Sequence, residues 1–376
     1  MRLTILQEKL KEGFGVVERI TSKSLTLPIL NNVLLQTKKN FLNLAATDLE
    51  IGINWWTLAK VEEEGAIVIP SQSILSLISL FPNKPVNIST KDLAVNIECE
   101  NHKSSFKGLS TEDFPIIPSI TEGETLRVSA SSFCEGLTQV VNIPALSTTK
   151  PEISGVYLVF QGNTIKMVAT DSFRLGEKTL ILKRGREKEG TLSFILPQRA
   201  AKEIINVFSK EKEIKIYFSP NQILFESLME ETEAPKIRFI SRLIEGEFPN
   251  YEAIIPKKQE TQVVLPRKEF LNQIKSASIF SGKTNEIKLT VNPTKKQVEI
   301  SGQSQDFGEY HSDIPAKIKG KGLEIAFNYK FLTEGVLTAG DKEEIVFELT
   351  SEEGAAVLKQ VEDPSYIYIL MPIKKN

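Results

Sequence analysis

Two aspartates stand where catalysis would first be sought. Asp48, in Ala46-Thr47-Asp48-Leu49-Glu50-Ile51, and Asp171, in Ala169-Thr170-Asp171-Ser172-Phe173-Arg174-Leu175, each follow an apolar stretch and an Ala-Thr step. A carboxylate pair can divide the roles of general acid and base when both members reach one substrate. These two occupy equivalent turns of separate repeats, a domain apart, so each reads as an aspartate that holds its own turn backbone. The other candidates lack the company their chemistry needs. His102 and His311 have no Cys or His partner at metal-ligand spacing and read as surface histidines. Ser281-Gly282-Lys283-Thr284 has the ending of a phosphate-binding loop, but the position of the upstream glycine is Ala277. Gly13-Phe14-Gly15 lies inside a helical pattern without the third glycine of a dinucleotide site, and reads as a place of close packing. No set of nucleophile, base and orienting group emerges, so neither catalysis nor a metal or cofactor is expected.

Composition narrows the class. The 376 residues carry 46 Lys and Arg against 48 Asp and Glu, a formal net charge of −2. That balance argues against a protein that simply grips nucleic acid. The length suits two or three domains with ample apolar surface to bury. No apolar run reaches the roughly 18 residues of a membrane-spanning helix. The start, Met1 to Lys9, has no signal-like apolar region, and a cytoplasmic location is expected. Of the two cysteines, Cys99 continues the alternation Val95, Ile97, and Cys134 joins Phe133, Leu137, Val140 and Val141 at helical spacing. Both read as small core residues.

The elements that must position these residues recur three times. Leu3 to Leu10, Leu126 to Phe133 and Gln262 to Phe270 each run from a short strand into an amphipathic helix. The stripes are Leu10, Phe14, Val17 and Ile20, then Phe133, Leu137, Val140 and Val141, then Phe270, Ile274 and Ala277, with Pro266 suited to a first helical turn. A second strand-to-helix step recurs at Ile67 to Leu77, Phe194 to Ala201 and Ile325 to Leu332, followed by alternating strands such as 214–218 and 345–349. The first two repeats close alike, on Asp113-Phe114-Pro115 and Glu247-Phe248-Pro249, each before an Ile-Ile-Pro. Polar linkers at 119–124 and 256–261 then give three α+β domains at 1–120, 125–248 and 259–376, each with two helices on antiparallel sheet.

Charge is informative once placed on these elements. The helices are locally basic at Lys9, Lys11 and Arg19, at Arg199, Lys202 and Lys210, and at Arg267, Lys268, Lys275 and Lys283. The helices 71–80 and 131–141 carry no Lys or Arg, while the acidic runs 62–64, 230–233, 343–344 and 352–353 fall in expected turns. Solvated helix faces are the plain reading. A repeated basic helical face with acid elsewhere suggests a concave surface lined for phosphates, along which a duplex could slide. A repeat-built scaffold that binds peptides and never meets DNA is the competing reading.

Four segments in register resemble one family. Leu27-Pro28-Ile29-Leu30, Ala169 to Leu175, Glu245-Gly246-Glu247-Phe248-Pro249-Asn250-Tyr251 and Tyr368-Ile369-Leu370-Met371-Pro372-Ile373 are similar to the bacterial DNA polymerase III beta subunits. The resemblance spans essentially the whole chain. It implies DNA-clamp domains joined as a head-to-tail homodimer, a ring around duplex DNA with helices lining the hole, opened by a separate ATP-driven clamp loader. It implies no catalysis. It also implies an apolar groove for short linear peptides of polymerase III alpha, other polymerases, the loader and repair proteins. Carried onto this chain, the groove comprises Ile153, Thr170, Ser172, Phe173, Arg174, Leu175, Pro249, Ile254, Phe331, Ile369, Leu370, Met371, Pro372 and Ile373. The family often has Gly-His at Ser172-Phe173 and a basic residue at Ala253, and the loop 282–286 does not align. The dimer contact implied is Phe106 and Leu109 against Ile279 and Phe280. DNA contacts implied are Lys9, Lys11, Arg19, Lys23, Arg199, Lys202, Lys210, Arg267, Lys268 and Lys275.

Overall fold

The computed structural model describes residues 1–21, 26–120, 123–145, 149–183, 185–186 and 190–374. Its six described helices are α1 (Gln7–Val17), α2 (Ser71–Leu80), α3 (Ala130–Val140), α4 (Gln198–Phe208), α5 (Arg267–Ser278) and α6 (Tyr329–Thr338). Each begins at the residue after a strand ends, so the chain turns from extended to helical backbone within one step. Pro70 and Pro266 sit at that step with φ near −65° and extended ψ. Pro266 is therefore the last strand residue and not, as its type suggested, part of the first helical turn; a fixed φ suits both places. Asn328 caps α6 by accepting a 3.0 Å bond from the Lys330 amide.

Within each repeat the two helices are tied end to end. The first residue of α1, Gln7, donates from its side chain to the Ile78 carbonyl near the end of α2, at 2.7 Å. The first residue of α5, Arg267, donates to the Val336 and Leu337 carbonyls of α6 at 3.0 and 3.3 Å. In the middle repeat Gln198 opens α4 and donates to Val141, just past α3, at 2.8 Å. Last-turn carbonyls have no partner inside their own helix, and these side chains supply one. The stripe Leu10, Phe14, Val17 is fully buried, and Gly13 between them lets α1 lie on an indole: an added Cβ would meet the Trp55 ring at 2.5 Å. Cys99 and Cys134 are buried as expected.

The strands form two compact units, Met1–Cys134 with Lys202–Leu243, and Glu135–Ala201 with Ile244–Asn376. The first holds a five-stranded sheet, in spatial order Lys60–Glu63, Arg2–Leu6, Pro85–Lys91, Ala94–Cys99, His102–Lys107, and an eight-stranded one. In the eight-stranded sheet the strand Pro235–Arg242 of the middle repeat pairs antiparallel with Ile51–Leu58 of the first. The second unit holds a four-stranded sheet, Gly308–Pro315, Gln297–Ser304, Glu286–Asn292, Leu323–Asn328, and a nine-stranded one. There Arg174–Ile181 of the middle repeat pairs antiparallel with Tyr366–Leu370 of the third. These cross-repeat seams are why each unit contains one repeat and half of another.

Two expectations change in detail. Glu62 and Glu63 lie in the outer strand Lys60–Glu63 and not in a turn, where charge keeps an exposed edge from pairing further. Ser281 to Thr284 lead out of α5 toward a strand, whereas a phosphate-binding loop leads into its helix.

Candidate peptide-binding groove

The turn at Thr170 is built by two side chains. Thr170 Oγ1 donates to the Arg174 carbonyl at 2.8 Å and accepts from the Ser172 amide at 3.2 Å. Asp171 Oδ1 accepts from the Phe173 and Arg174 amides at 2.9 and 3.0 Å. The first repeat has the same construction, with Thr47 on the Ile51 carbonyl at 2.8 Å and Asp48 on the Glu50 and Ile51 amides at 3.0 and 2.7 Å. Both aspartates thus hold backbone. The third turn residue has φ of 77° in each copy, at Leu49 and Ser172. That left-handed conformation is where glycine costs least, and a side chain there costs about 1 kcal/mol.

The copies diverge two residues later, where Ile51 answers Arg174. Arg174 is 9% exposed. Its Nε donates to Asp171 Oδ2 at 2.9 Å, its Nη1 to Glu334 Oε2 at 2.5 Å, and its Nη2 to the Asn142 carbonyl at 3.4 Å. The guanidinium lies 4.5 Å from the centre of the Phe331 ring. Burial alone would lower its pKa, but Tyr368 and Glu334 outweigh burial and hold it above the ordinary arginine value. Burial pushes the Tyr366 and Tyr368 hydroxyls up. Both act as donors, to Thr338 Oγ1 and to the Phe331 carbonyl, at 2.9 Å each.

This centre anchors a site that is buried below and apolar above. Leu175 and Ile369 are cross-strand partners, and they pack with Val168, Phe248, Tyr251 and Val357. Ile153, Thr170, Leu370 and Pro372 are also buried, so these candidates form the floor. Ser172 is exposed. The apolar surface above comes from Phe173, 62% exposed, Ile254, 50%, and Met371, 39%, with Pro249 exposed and Phe331 and Ile373 half-buried. Phe173 stacks on Phe331 at 6.4 Å, the Met371 amide donates to the Phe173 carbonyl at 2.9 Å, and the Ile373 amide to Ala326 at 2.8 Å. The terminal segment is therefore pinned beside the turn. Tyr251, which ends the segment Glu245 to Tyr251, packs in this floor, and Glu334 and Asn142 complete the construction although they are not among the sequence candidates. Glu334 had a signal, standing three residues after Phe331 on the same helical face.

Replacing Arg174 by Ala should destabilise the second unit by about 3 kcal/mol, because Asp171 and Glu334 lose their cation while largely buried. Arg174→Lys should recover only part, since an ammonium cannot reproduce the forked geometry. Urea unfolding followed by tyrosine fluorescence tests this; an unchanged midpoint in the alanine variant would refute it.

The remaining site candidates lie elsewhere. Phe106 is half-buried on the outer strand His102–Lys107, and Leu109 is 45% exposed. Ile279 is 66% exposed just past α5, and Phe280 stacks on Tyr310 at 5.9 Å. Core and edge positions share composition; these four are not core. Lys11, Arg19, Arg199, Lys202, Lys210, Lys268 and Lys275 are exposed, and Lys9 is half-buried. Arg267 spends its guanidinium on α6, and Arg19 is 3.7 Å from Glu203. Lys23 is outside the described residues. His102 is exposed beside Phe81, and His311 is exposed 2.7 Å from Glu299, which holds its imidazole above the ordinary histidine value.

Repeated helix pairs on antiparallel sheets, with a pinned apolar site at a cross-repeat seam, define the DNA-clamp class of folds. The DNA polymerase sliding clamp of Bacillus subtilis superposes with a TM-score of 0.92 at 22% identity, covering 100% of both chains. The DNA polymerase III beta subunit of Thermotoga maritima does so with 0.91 at 23%, again over 100% of both. Among sequence relatives, the beta sliding clamp of Synechococcus elongatus is 28% identical over 382 residues, with 100% of this chain and 99% of that protein covered. The beta sliding clamp of Staphylococcus aureus is 27% identical over 387 residues, with the same coverage. Family models for the N-terminal, central and C-terminal domains of the DNA polymerase III beta subunit match residues 1–118, 127–250 and 252–374. The chain belongs to the DNA polymerase III beta subunit family, the bacterial sliding clamps, and has three clamp domains. It is a processivity factor of DNA replication and not an enzyme.

Proposed function

We propose that two copies close head to tail into a ring around duplex DNA, placed there by an ATP-driven loader, and that the groove at Arg174 tethers polymerases and repair proteins through short linear peptides. The observation that carries this reading is the match of all three clamp domains, in order, across the chain. The domains run 1–120, 125–248 and 259–376 in this reading. Retention is topological, which fits a chain of net charge −2 with cations set on its helices. Lys9, Lys11, Arg19, Arg199, Lys202, Lys210, Lys268 and Lys275 face the duplex, and the exposure of all of them but the half-buried Lys9 supports the role. Peptides lie along Phe173, Ile254 and Met371, whose apolar and thioether surfaces adapt to Leu and Phe side chains. The protein works in the cytoplasm; no described helix is long and apolar enough to cross a membrane.

Primer extension on a primed single-stranded circle tests the whole reading. With loader, ATP and the replicative polymerase, adding this protein should lengthen the products made in a single binding event. Products no longer than those of polymerase alone would remove the reading.

A further inference from the structure

The first compact unit holds an apolar cavity outside the groove. It lies at the end of Ile51–Leu58 remote from the turn at Asp48, has a volume of about 260 Å³, and is walled by Ile5, Leu6, Trp55, Trp56, Leu58 and Met229. The charged residues beside it are largely paired: Lys236 lies 2.8 Å from Glu211 and 3.1 Å from Glu12, and Glu230 lies 2.7 Å from Lys212. Two polar groups are left over. Trp55 is 1% exposed, and its indole Nε1–H has no hydrogen-bond partner among the described residues. The benzene edge of that ring lies on α1 at Gly13, so the pyrrole edge carrying Nε1 is free of that contact. At the second seam the corresponding residue is Lys178, whose side-chain nitrogen donates to Ser365 at 2.7 Å, so the lack belongs to the first seam. A buried donor left unpaired is uncommon in folded proteins. The other group is the backbone of Leu58. Pro235–Arg242 pairs with the seam strand only as far as Trp55, and Thr57 and Leu58 run on past it. The Ala59 amide donates to the Asn40 carbonyl at 2.9 Å on one side, so the amide and carbonyl of Leu58 face the other, where no described strand remains.

From this we infer that the cavity is a docking site for an extended peptide of a partner protein that inserts a tyrosine. The peptide adds antiparallel to the overhanging strand. One of its residues faces Leu58 and exchanges both backbone bonds with it, as a strand added to an open edge does. The next residue, whose side chain falls on the face of Trp55, is the tyrosine. Its ring fills the space beside Leu6 and Met229, and its oxygen accepts from Trp55 Nε1. Tyrosine suits these walls because it joins a wide apolar body to a polar tip. A peptide fits better than a free ligand: the cavity is smaller than the roughly 300–1,000 Å³ of small-molecule sites and suits one side chain. A shallower trough that shares Ile5, Leu6 and Leu58 continues past Asn40 and Val61 and gives the rest of the peptide a path. The paired charges beside the cavity favour an uncharged segment over an ionic one.

The chain's two tryptophans both line this cavity, so their fluorescence, excited beyond tyrosine absorption, reports on it alone. Three probes are titrated into the protein: N-acetyl-alanyl-tyrosine methylamide, the same compound with phenylalanine, and p-cresol, which is the tyrosine ring without backbone. The tyrosine compound should shift the emission saturably, with half-saturation near about 1 mM, and each of the other two should need at least about tenfold more. In Trp55→Phe, with Trp56 left to report, the preference for tyrosine over phenylalanine should vanish. A phenylalanine compound that binds the unaltered protein as well as the tyrosine one would take Trp55 Nε1 out of the site. Equal binding of p-cresol would replace the peptide by a free aromatic ligand. Either result overturns the proposal, and so does an emission that the tyrosine compound leaves unmoved well above its expected half-saturation. None of these outcomes touches the ring reading, on which the proposal does not rest.

Discussion

Loaded onto a nicked circular plasmid, the protein should remain through gel filtration in high salt and leave when a restriction enzyme opens the circle. The reason is electrostatic. A protein held by about six phosphate contacts loses on the order of a thousandfold in affinity between about 50 and 200 mM salt, because each contact gives back a released counterion. With 46 basic and 48 acidic residues, this chain has no excess positive charge to sustain such a grip. Its exposed helical cations can be exchanged from phosphate to phosphate without a preferred sequence. Topology, unlike contact, does not weaken with salt. Salt should therefore hasten departure from linear DNA and leave the circular complex unchanged. Protein that stays on linear DNA binds directly, and protein absent from circles never encircled them; either result would end the topological account.

Local chemistry makes much of this molecule readable from its residues alone. The alternation Val95, Ile97, Cys99 gave a buried strand face, and the stripe Leu10, Phe14, Val17 gave the buried face of α1. Asp171 was legible as a turn residue because Asx side chains bond backbone two and three residues on, and its acceptor oxygen takes those two amides. What local chemistry cannot carry is pairing between distant segments. Arg174 meets Glu334 and Tyr368 across 160 and 194 residues of chain, and nothing near Arg174 names them. The same holds for the seam that sets Leu175 opposite Ile369. Ile279 and Phe280 show the other limit: an apolar pair after a helix fits a core or an interface equally, and only exposure separates the two.

The groove was nameable only through its resemblance to a family, since Ile369 and Leu370 alone read as buried strand, which they are. The exposed apolar surface beside that floor belongs to its neighbours, above all Phe173, Ile254 and Met371.

Met371→Asp should therefore reduce the affinity for a short peptide bearing Leu and Phe by roughly a hundredfold, near 3 kcal/mol. Peptide docking would bury the new carboxylate against Phe173 and Phe331, and an unpaired charge without hydrogen-bond donors is costly to desolvate. The fold should tolerate the change, because the Met371 side chain is partly exposed and its structural bond to the Phe173 carbonyl is made by backbone. Met371→Leu, of similar volume, should stay within a few-fold of the parent. Fluorescence anisotropy with a labelled peptide gives the affinities, and plasmid retention of the same variant gives its ring. Retention should be unchanged while tethering fails, because Met371 is not among the dimer-contact candidates Phe106, Leu109, Ile279 and Phe280. An aspartate variant that binds the peptide as the parent does would move the partner site away from Met371, whatever its behaviour on DNA.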